Sequence, residues 1–238
     1  MRIITWNIQD CGTGNFKNLD VQNIQNILNT IEMENADIVI VQEYQNEYEK
    51  IFVKEGLEKM SYTCTVWMGD FDANLRKRVL IASKLSLEEC KGFVDIQEYS
   101  KRNWNEIFVP QYNLNLLGVD VPLAETTDRY GKKGITEKKQ FLEALKQKFI
   151  SYEKKENPSI ILGDFNLHEK AVFKECLDEF SSILTEITTK DATKGNFKFD
   201  YIFANNALMP LVDESKIYVP HATCFSDHKY LYIDICSV

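Results

Sequence analysis

The sequence predicts an α/β fold in which two packed sheets carry helices on their outer faces. Three observations lead there. Apolar runs of strand length outnumber segments of helical periodicity, which favours two sheets over one doubly wound sheet. The β-branched run Ile38-Val39-Ile40-Val41 suits a strand buried on both faces. The 238 residues, 44% hydrophobic and 12% aromatic, are enough for one substantial domain, read as residues 1–238, with no repeat, low-complexity tract or Pro/Ser linker to divide them.

In chain order, Arg2 to Trp6 reads as a short strand. Val21, Ile24, Ile27, Leu28 and Ile31 recur at helical spacing, and Asp37 to Val41 returns as a strand. A helix is expected over Tyr48 to Lys59. Strands follow at Tyr62 to Trp67 and Val79 to Ser83, joined by a polar link with Arg76, Lys77 and Arg78. Leu85 to Asn105 shows no clear period. Leu114 to Val121 reads as a strand, and Asp128-Arg129-Tyr130-Gly131-Lys132-Lys133-Gly134 as a charged surface loop. Thr136 is placed as the cap of a helix lined by Phe141, Leu142, Leu145, Phe149 and Ile150. The stretch SIILGDFNLH, Ser159 to His168, is the next strand and about Glu169 to Phe180 a helix. Strands near Phe197 to Ala204, Ile217 to Val219 and Tyr230 to Ile235 complete the chain.

A net charge of −8 disfavours a broad electrostatic grip on nucleic acid. It is compatible with a nucleic-acid enzyme, because bound divalent cations reverse the sign of an acidic cleft. The chain enters its first strand without a secretory leader, and no apolar run is long enough to span a bilayer. The six cysteines are scattered without CxxC pairs. Reduced thiols in a cytosolic protein are therefore expected.

The chemistry lies where apolar runs end. Asn7 follows IITW, Glu43 follows IVIVQ, and Asp164 and Asn166 follow SIILG; Asp200 interrupts FKFDYIFA, and Ser226-Asp227-His228 precedes KYLYIDI. Singly, each has an ordinary reading: a solvated Glu43, an Asx-turn at Asp164 and Asn166, an Asp227–Lys229 pair. Together they are hard oxygen donors of the kind that hold Mg²⁺ or Mn²⁺, and clustered carboxylates need a cation to stay ionised. Gly163 permits a close backbone approach, and residues two apart project to one side.

In this order the motifs TWNIQ (5–9), VIVQE (39–43), GDFN (163–166), FDYIF (199–203) and SDH (226–228) resemble those of the endonuclease/exonuclease/phosphatase superfamily, which includes the deoxyribonuclease I-like nucleases. The resemblance implies a four-layer α/β/β/α sandwich of two mixed sheets flanked by helices, with the site at one edge. It also implies a Mg²⁺- or Mn²⁺-dependent phosphoesterase, foremost a nuclease acting on DNA. Carried over residue by residue, it makes Glu43 the principal metal ligand, with Asn7 beside it and Asp227 as a further acid near the metal. Asp164 activates the attacking water, Asn166 and Asn7 contact the phosphate, and His228 stabilises or protonates a phosphate oxygen with Asp200 orienting it. Arg129 is assigned to substrate binding.

The chain departs from the pattern at Asp120, where many relatives have histidine or tyrosine. Asp120 is assigned to the metal shell, the alternative being a lost phosphate contact. Gln9 and Leu123 differ from the abasic-site branch and weaken an assignment to abasic-site repair. Two alternative functions are a phosphatase or phosphodiesterase on a small or lipid-derived phosphate and a binding module with weakened catalysis. His168 reads as a surface residue at the start of a helix.

Overall fold

The computed structural model describes residues 1–9, 21–45, 52–66, 77–90, 103–124, 134–168, 171–187, 190–213, 217–220 and 226–236. Its strands are β1 (Arg2–Asn7), β2 (Ile38–Gln45), β3 (Thr63–Val66), β4 (Lys77–Ser83), β5 (Glu88–Glu89), β6 (Trp104–Val109), β7 (Leu114–Asp120), β8 (Ser159–Asp164), β9 (Thr185–Glu186), β10 (Asp200–Ala204) and β11 (Leu231–Asp234). Among the described residues the helices are α1 (Val21–Glu34), α2 (Phe52–Lys59), α3 (Gly134–Glu153) and α4 (Glu175–Ile183). The first sheet runs β11-β1-β2-β4-β3 and the second β5-β6-β7-β8-β10-β9. Each is mixed, with one parallel pair, β1/β2 in the first and β7/β8 in the second.

Strand alternation sorts the apolar side chains into layers. Ile3, Ile38, Ile40, Val79 and Ile81 face Ile107, Leu116, Ile160, Leu162 and Ile202 between the sheets. Ile4, Trp6, Val39 and Val41 turn outward beneath Ile24, Ile27, Leu28 and Ile31 of α1 and Val53 and Leu57 of α2. Leu117, Val119, Ile161 and Phe203 do the same beneath Phe141, Leu145 and Phe149 of α3 and Phe180 of α4. The result is the four-layer α/β/β/α sandwich. A Cβ at Gly118 would lie 2.7 Å from Ile40 Cγ2 and 3.1 Å from Val79 Cγ1, so glycine sets the approach of the two sheets there.

Several expectations are corrected. α3 begins at Gly134, so Thr136 lies inside its first turn rather than capping it. Residues 171–174 form turns before α4, and Ile217 to Val219 contributes a single bridge, Tyr218 to Tyr232, instead of a strand. β10 starts at Asp200 rather than Phe197. β6 carries no clear sequence signal, because Glu106 interrupts its apolar pattern. Glu106 is nevertheless buried, paired with Lys148 at 2.6 Å and accepting from the Tyr152 hydroxyl at 2.9 Å. Among the described residues, Cys64, Cys90, Cys176 and Cys236 are free thiols, and no helix is long and apolar enough to cross a membrane.

Candidate active site

The parallel pairs position the site. In each, a helix-bearing crossover returns the chain in the same direction, so both strands deliver their carboxyl ends to one edge. Asn7, ending β1, stands opposite Gln42, with Glu43 next along β2. In the second sheet Asp120 ends β7 opposite Asp164 of β8, and antiparallel β10 begins with Asp200 opposite Asp164. Three aspartates thus stand in register across β7, β8 and β10. The sheets meet at this edge, where Asn7 Nδ2 donates to Asp164 Oδ2 at 2.9 Å.

Unusual backbone conformations occur at this edge as well as in turns elsewhere. Gly163 has φ +143°, and a Cβ on it would lie 2.0 Å from the Val119 carbonyl oxygen, so no other residue fits. Glu43 has φ +56° and sits where the β2/β4 register shifts between Val41 and Tyr44, a bulge that re-aims its side chain. Asn166 has φ +49°. Its backbone N–H donates to Asp164 Oδ1 at 2.8 Å, which is indeed an Asx-turn, and its Nδ2 donates to the Val121 carbonyl at 2.8 Å. Such conformations persist where surroundings hold them, and they concentrate at functional sites.

His228 arrives from the far end of the chain and is fixed by backbone contacts. Its carbonyl accepts from Trp6 Nε1 at 3.0 Å, its N–H donates to Ser226 Oγ at 3.1 Å, and Ser226 Oγ donates to the Asn7 carbonyl at 2.7 Å. Gln9 Oε1 accepts from the Asp227 N–H at 3.2 Å. The imidazole lies with Nδ1 2.9 Å from Asp200 Oδ2, while Nε2 faces Asp164 Oδ2 at 3.7 Å and Asp227 Oδ1 at 3.9 Å. An ionised Asp200 makes Nδ1 the donor, which directs Nε2 toward the other carboxylates.

Burial and charge oppose one another in this cluster. For Asp164, burial is the largest influence and raises its pKa; the nearby His228 opposes the rise, Asp200 adds to it, and the bonds from Asn7 and Asn166 oppose it. The net direction is upward. For His228, burial is again largest and favours the neutral ring, but the charge and hydrogen bond of Asp200, with Asp164 behind them, outweigh it and raise the pKa. The site therefore favours an imidazolium between two aspartates.

The structure brings Asn7, Asp164, Asn166, Asp200 and His228 together, with side chains of Asp164, Asp200 and His228 buried to 2% exposure or less. Ligand atoms of Asp164, Asp200 and His228 lie within 4.8 Å of one another. Glu43 and Asp227 stand more open, at 18% and 35% exposure, and each meets a lysine: Lys77 at 2.7 Å from Glu43, Lys194 at 2.6 Å from Asp227. Asp227 pairs with Lys194, not Lys229. Asp120 is buried beside Asp164 in register but outside the three-residue cluster. Arg129, Lys132, Lys133 and His221 lie outside the described residues. The donors suit a hard divalent cation. Asp200 Oδ1, on the carboxylate that bonds His228, is buried without a hydrogen-bond partner, so the charge of the cluster is incompletely met within the protein.

His168 is half-buried instead of on the surface, its ring 4.7 Å from that of Phe197 and 4.8 Å from that of Phe199, which in turn lies 6.0 Å from His228. Two further residues escaped sequence reasoning. Thr193 is fully buried; its Oγ1 accepts from the N–H groups of Phe199 at 2.9 Å and Asp200 at 3.2 Å, and its carbonyl from Lys229 N–H at 2.7 Å. Nothing in the sequence marks it. Lys138 is 2% exposed and its Nζ donates to the Asn166 carbonyl at 2.7 Å. It does carry a signal, being a lysine three and four residues before Phe141 and Leu142 on the buried stripe of α3.

Fold and site together define a deoxyribonuclease I-like α/β/β/α protein with an acid- and histidine-bearing strand edge. The chain belongs to the Endonuclease/Exonuclease/phosphatase family, whose model matches residues 4–228. No curated protein matches its sequence significantly. Among solved structures it is similar to an AP endonuclease from Archaeoglobus fulgidus, with TM-score 0.74, 15% identity, and 99% of each chain covered. It is also similar to the 3′ phosphatase NExo from Neisseria bound to a product DNA hairpin, with TM-score 0.74, 16% identity and 99% of each chain covered. A structure described as the 3′-5′ exonuclease NExo from Neisseria meningitidis aligns with TM-score 0.73 and 15% identity, over 99% of this chain and all of that one.

Proposed function

We propose that residues 1–238 form one divalent-metal-dependent phosphoesterase domain and that its substrate is a DNA phosphodiester. The observation that carries the reading is His228, bonded to Asp200 through Nδ1 and facing Asp164 through Nε2 at the edge where both sheets end. Asp164 accepts the proton of the attacking water, and the upward push of burial makes it a stronger base. His228 then stabilises or protonates a phosphate oxygen, with Asp200 holding its orientation. Asn166 commits one amide hydrogen to Val121 and offers the other to a phosphate oxygen. Glu43, with Asn7 and Asp227, would hold Mg²⁺ or Mn²⁺, and Asp120 would add charge to that shell. When bound, the cation supplies charge neutralisation at the phosphate and a more acidic water. Arg129 contacts substrate from its loop.

DNA is favoured because the structurally similar proteins include an AP endonuclease and a 3′ phosphatase bound to a product DNA hairpin. A second reading, a small phosphoester as substrate, draws on the net charge of −8 and on Lys77 and Lys194 each being engaged by an acid. Incubation with single- and double-stranded DNA, RNA and a panel of phosphomonoesters, in Mg²⁺, Mn²⁺ or EDTA, separates them. Cleaved DNA that EDTA protects is the expected result. Phosphate release from small esters with polynucleotides intact favours the second reading, and no turnover of any substrate leaves a binding module.

A further inference from the structure

Lys138 is a buried charge that the proposed chemistry does not use. Lysine is among the side chains least often buried, because removing an ammonium from water is costly unless it is bonded. Methionine would fill the same space on the α3 stripe, beside Phe141 and Leu142, at lower cost. The ammonium instead reaches the Asn166 carbonyl at 2.7 Å. That residue is left-handed at φ +49°, a conformation that needs support from its surroundings. Its N–H is held by Asp164 and its Nδ2 by Val121, so Lys138 supplies the third anchor, on the carbonyl. Three bonds to β8, to the residue following β7 and to α3 leave the turn little freedom.

Resting on the hydrolase reading above, we propose that Lys138 is a positioning residue, which clamps the Asn166 carbonyl and so fixes the left-handed turn that aims the Asn166 amide and the Asp164 carboxylate at the phosphate. The role acts through Asn166 and not by contact with substrate. It makes α3 part of the active-site framework as well as a cover for the second sheet. A purely structural lysine would show its loss in stability, whereas this one shows it in turnover.

The test uses Lys138→Met, which keeps length and packing, and Lys138→Arg, which restores a charged donor. Lys138→Met is expected to lower kcat by about 10- to 100-fold, the scale of a misplaced reacting group, with KM little changed and no fall in melting temperature at neutral pH. Lys138→Arg recovers most of the loss. The double variant Lys138→Met/Asn166→Ala is expected to be no slower than Asn166→Ala alone, since both changes remove one function. Hydrogen exchange supplies a readout independent of activity: peptides spanning residues 163–168 lose protection in Lys138→Met while the core strands keep theirs. Wild-type turnover in Lys138→Met, full additivity in the double variant, or unchanged exchange at the turn overturns the proposal. A wild type that hydrolyses no phosphoester overturns the hydrolase reading and Lys138's part in turnover together. Normal wild-type turnover with an unaffected Lys138→Met overturns Lys138 alone.

Discussion

The two sheets reach the site by the same route but deliver residues in different states. From the second sheet come Asp164 and Asp200, buried, in register, and arranged around His228. From the first come Asn7, tied to Asp164, and Glu43, which sits on a bulge, is partly exposed and pairs with Lys77. Buried carboxylates bonded to fixed partners have one geometry, and burial raises the proton affinity of Asp164, which suits proton transfer. A carboxylate open to solvent and facing a cation can exchange that cation for another, which suits metal binding. On the function proposed above, the second sheet supplies the proton-transfer groups and the first the charge that faces a cation.

Breaking the second-sheet half should give the largest effects. His228→Ala is expected to lower turnover by about 10²- to 10⁴-fold while metal affinity, measured by calorimetry, stays near that of the wild type. Near-normal turnover in a folded variant removes His228 from the chemistry. Gly163→Ala places a Cβ against the Val119 carbonyl in a conformation that strains any side chain, so a loss of at least about 3 kcal/mol in urea denaturation is expected. On the first-sheet side, Glu43→Gln should leave stability almost intact and weaken Mg²⁺ or Mn²⁺ binding by about tenfold or more. Equal metal affinity in both proteins would end the division of labour between the sheets. Asp120→Asn sharpens the boundary: a modest fall in metal affinity, shrinking at saturating Mn²⁺, is expected if Asp120 serves the shell. Faster turnover at unchanged affinity would instead make it a repulsive neighbour of the phosphate.

The smallest effect is a pH dependence. Burial is the leading influence on Lys138 and lowers its pKa from 10.5 to about 8, against the opposing pull of Asp164. Below about 8 both folded and unfolded chains hold the proton, and the cost of the buried ammonium is fully present. As pH rises from about 8 toward 10.5 the folded chain releases the proton first, so this group's contribution to stability improves with pH. Lys138→Met lacks that term. Its stability relative to wild type should therefore fall across this window, and a constant difference in denaturation midpoints would show that Lys138 does not titrate there.

Much of this was legible because strand ends announce themselves. IITWN, IVIVQE and SIILGD each stop an apolar run at a polar residue, and the unbroken runs read as strands buried on both faces. The layer order and the family followed from those motifs. The supports were not legible, because they rest on contacts between distant residues. Glu43's bulge depends on its pairing with β4, and the lysine partners of Glu43 and Asp227 stand 34 residues downstream of one and 33 upstream of the other. Thr193 acts by its hydroxyl position alone. Glu106 disguised β6 because a buried acid makes sense only once Lys148 and Tyr152 are beside it.

The pairing of β1 with β11 joins Arg2 to Asp234 and Thr5 to Leu231, and the same closure brings His228 to Trp6 and, through Ser226, to Asn7. The candidate site is thus assembled from segments more than two hundred residues apart in sequence, at the corresponding cost of loop closure. During synthesis the nascent chain carries Asp164 and Asn166 long before it carries His228 or the strand that seats it. A partial product can bury much of its core yet cannot complete the Asp200–His228 pair. On the function proposed above, hydrolytic competence should wait until His228 and β11 dock, and a ribosome stalled short of residue 228 would hold a chain that lacks the Asp200–His228 pair.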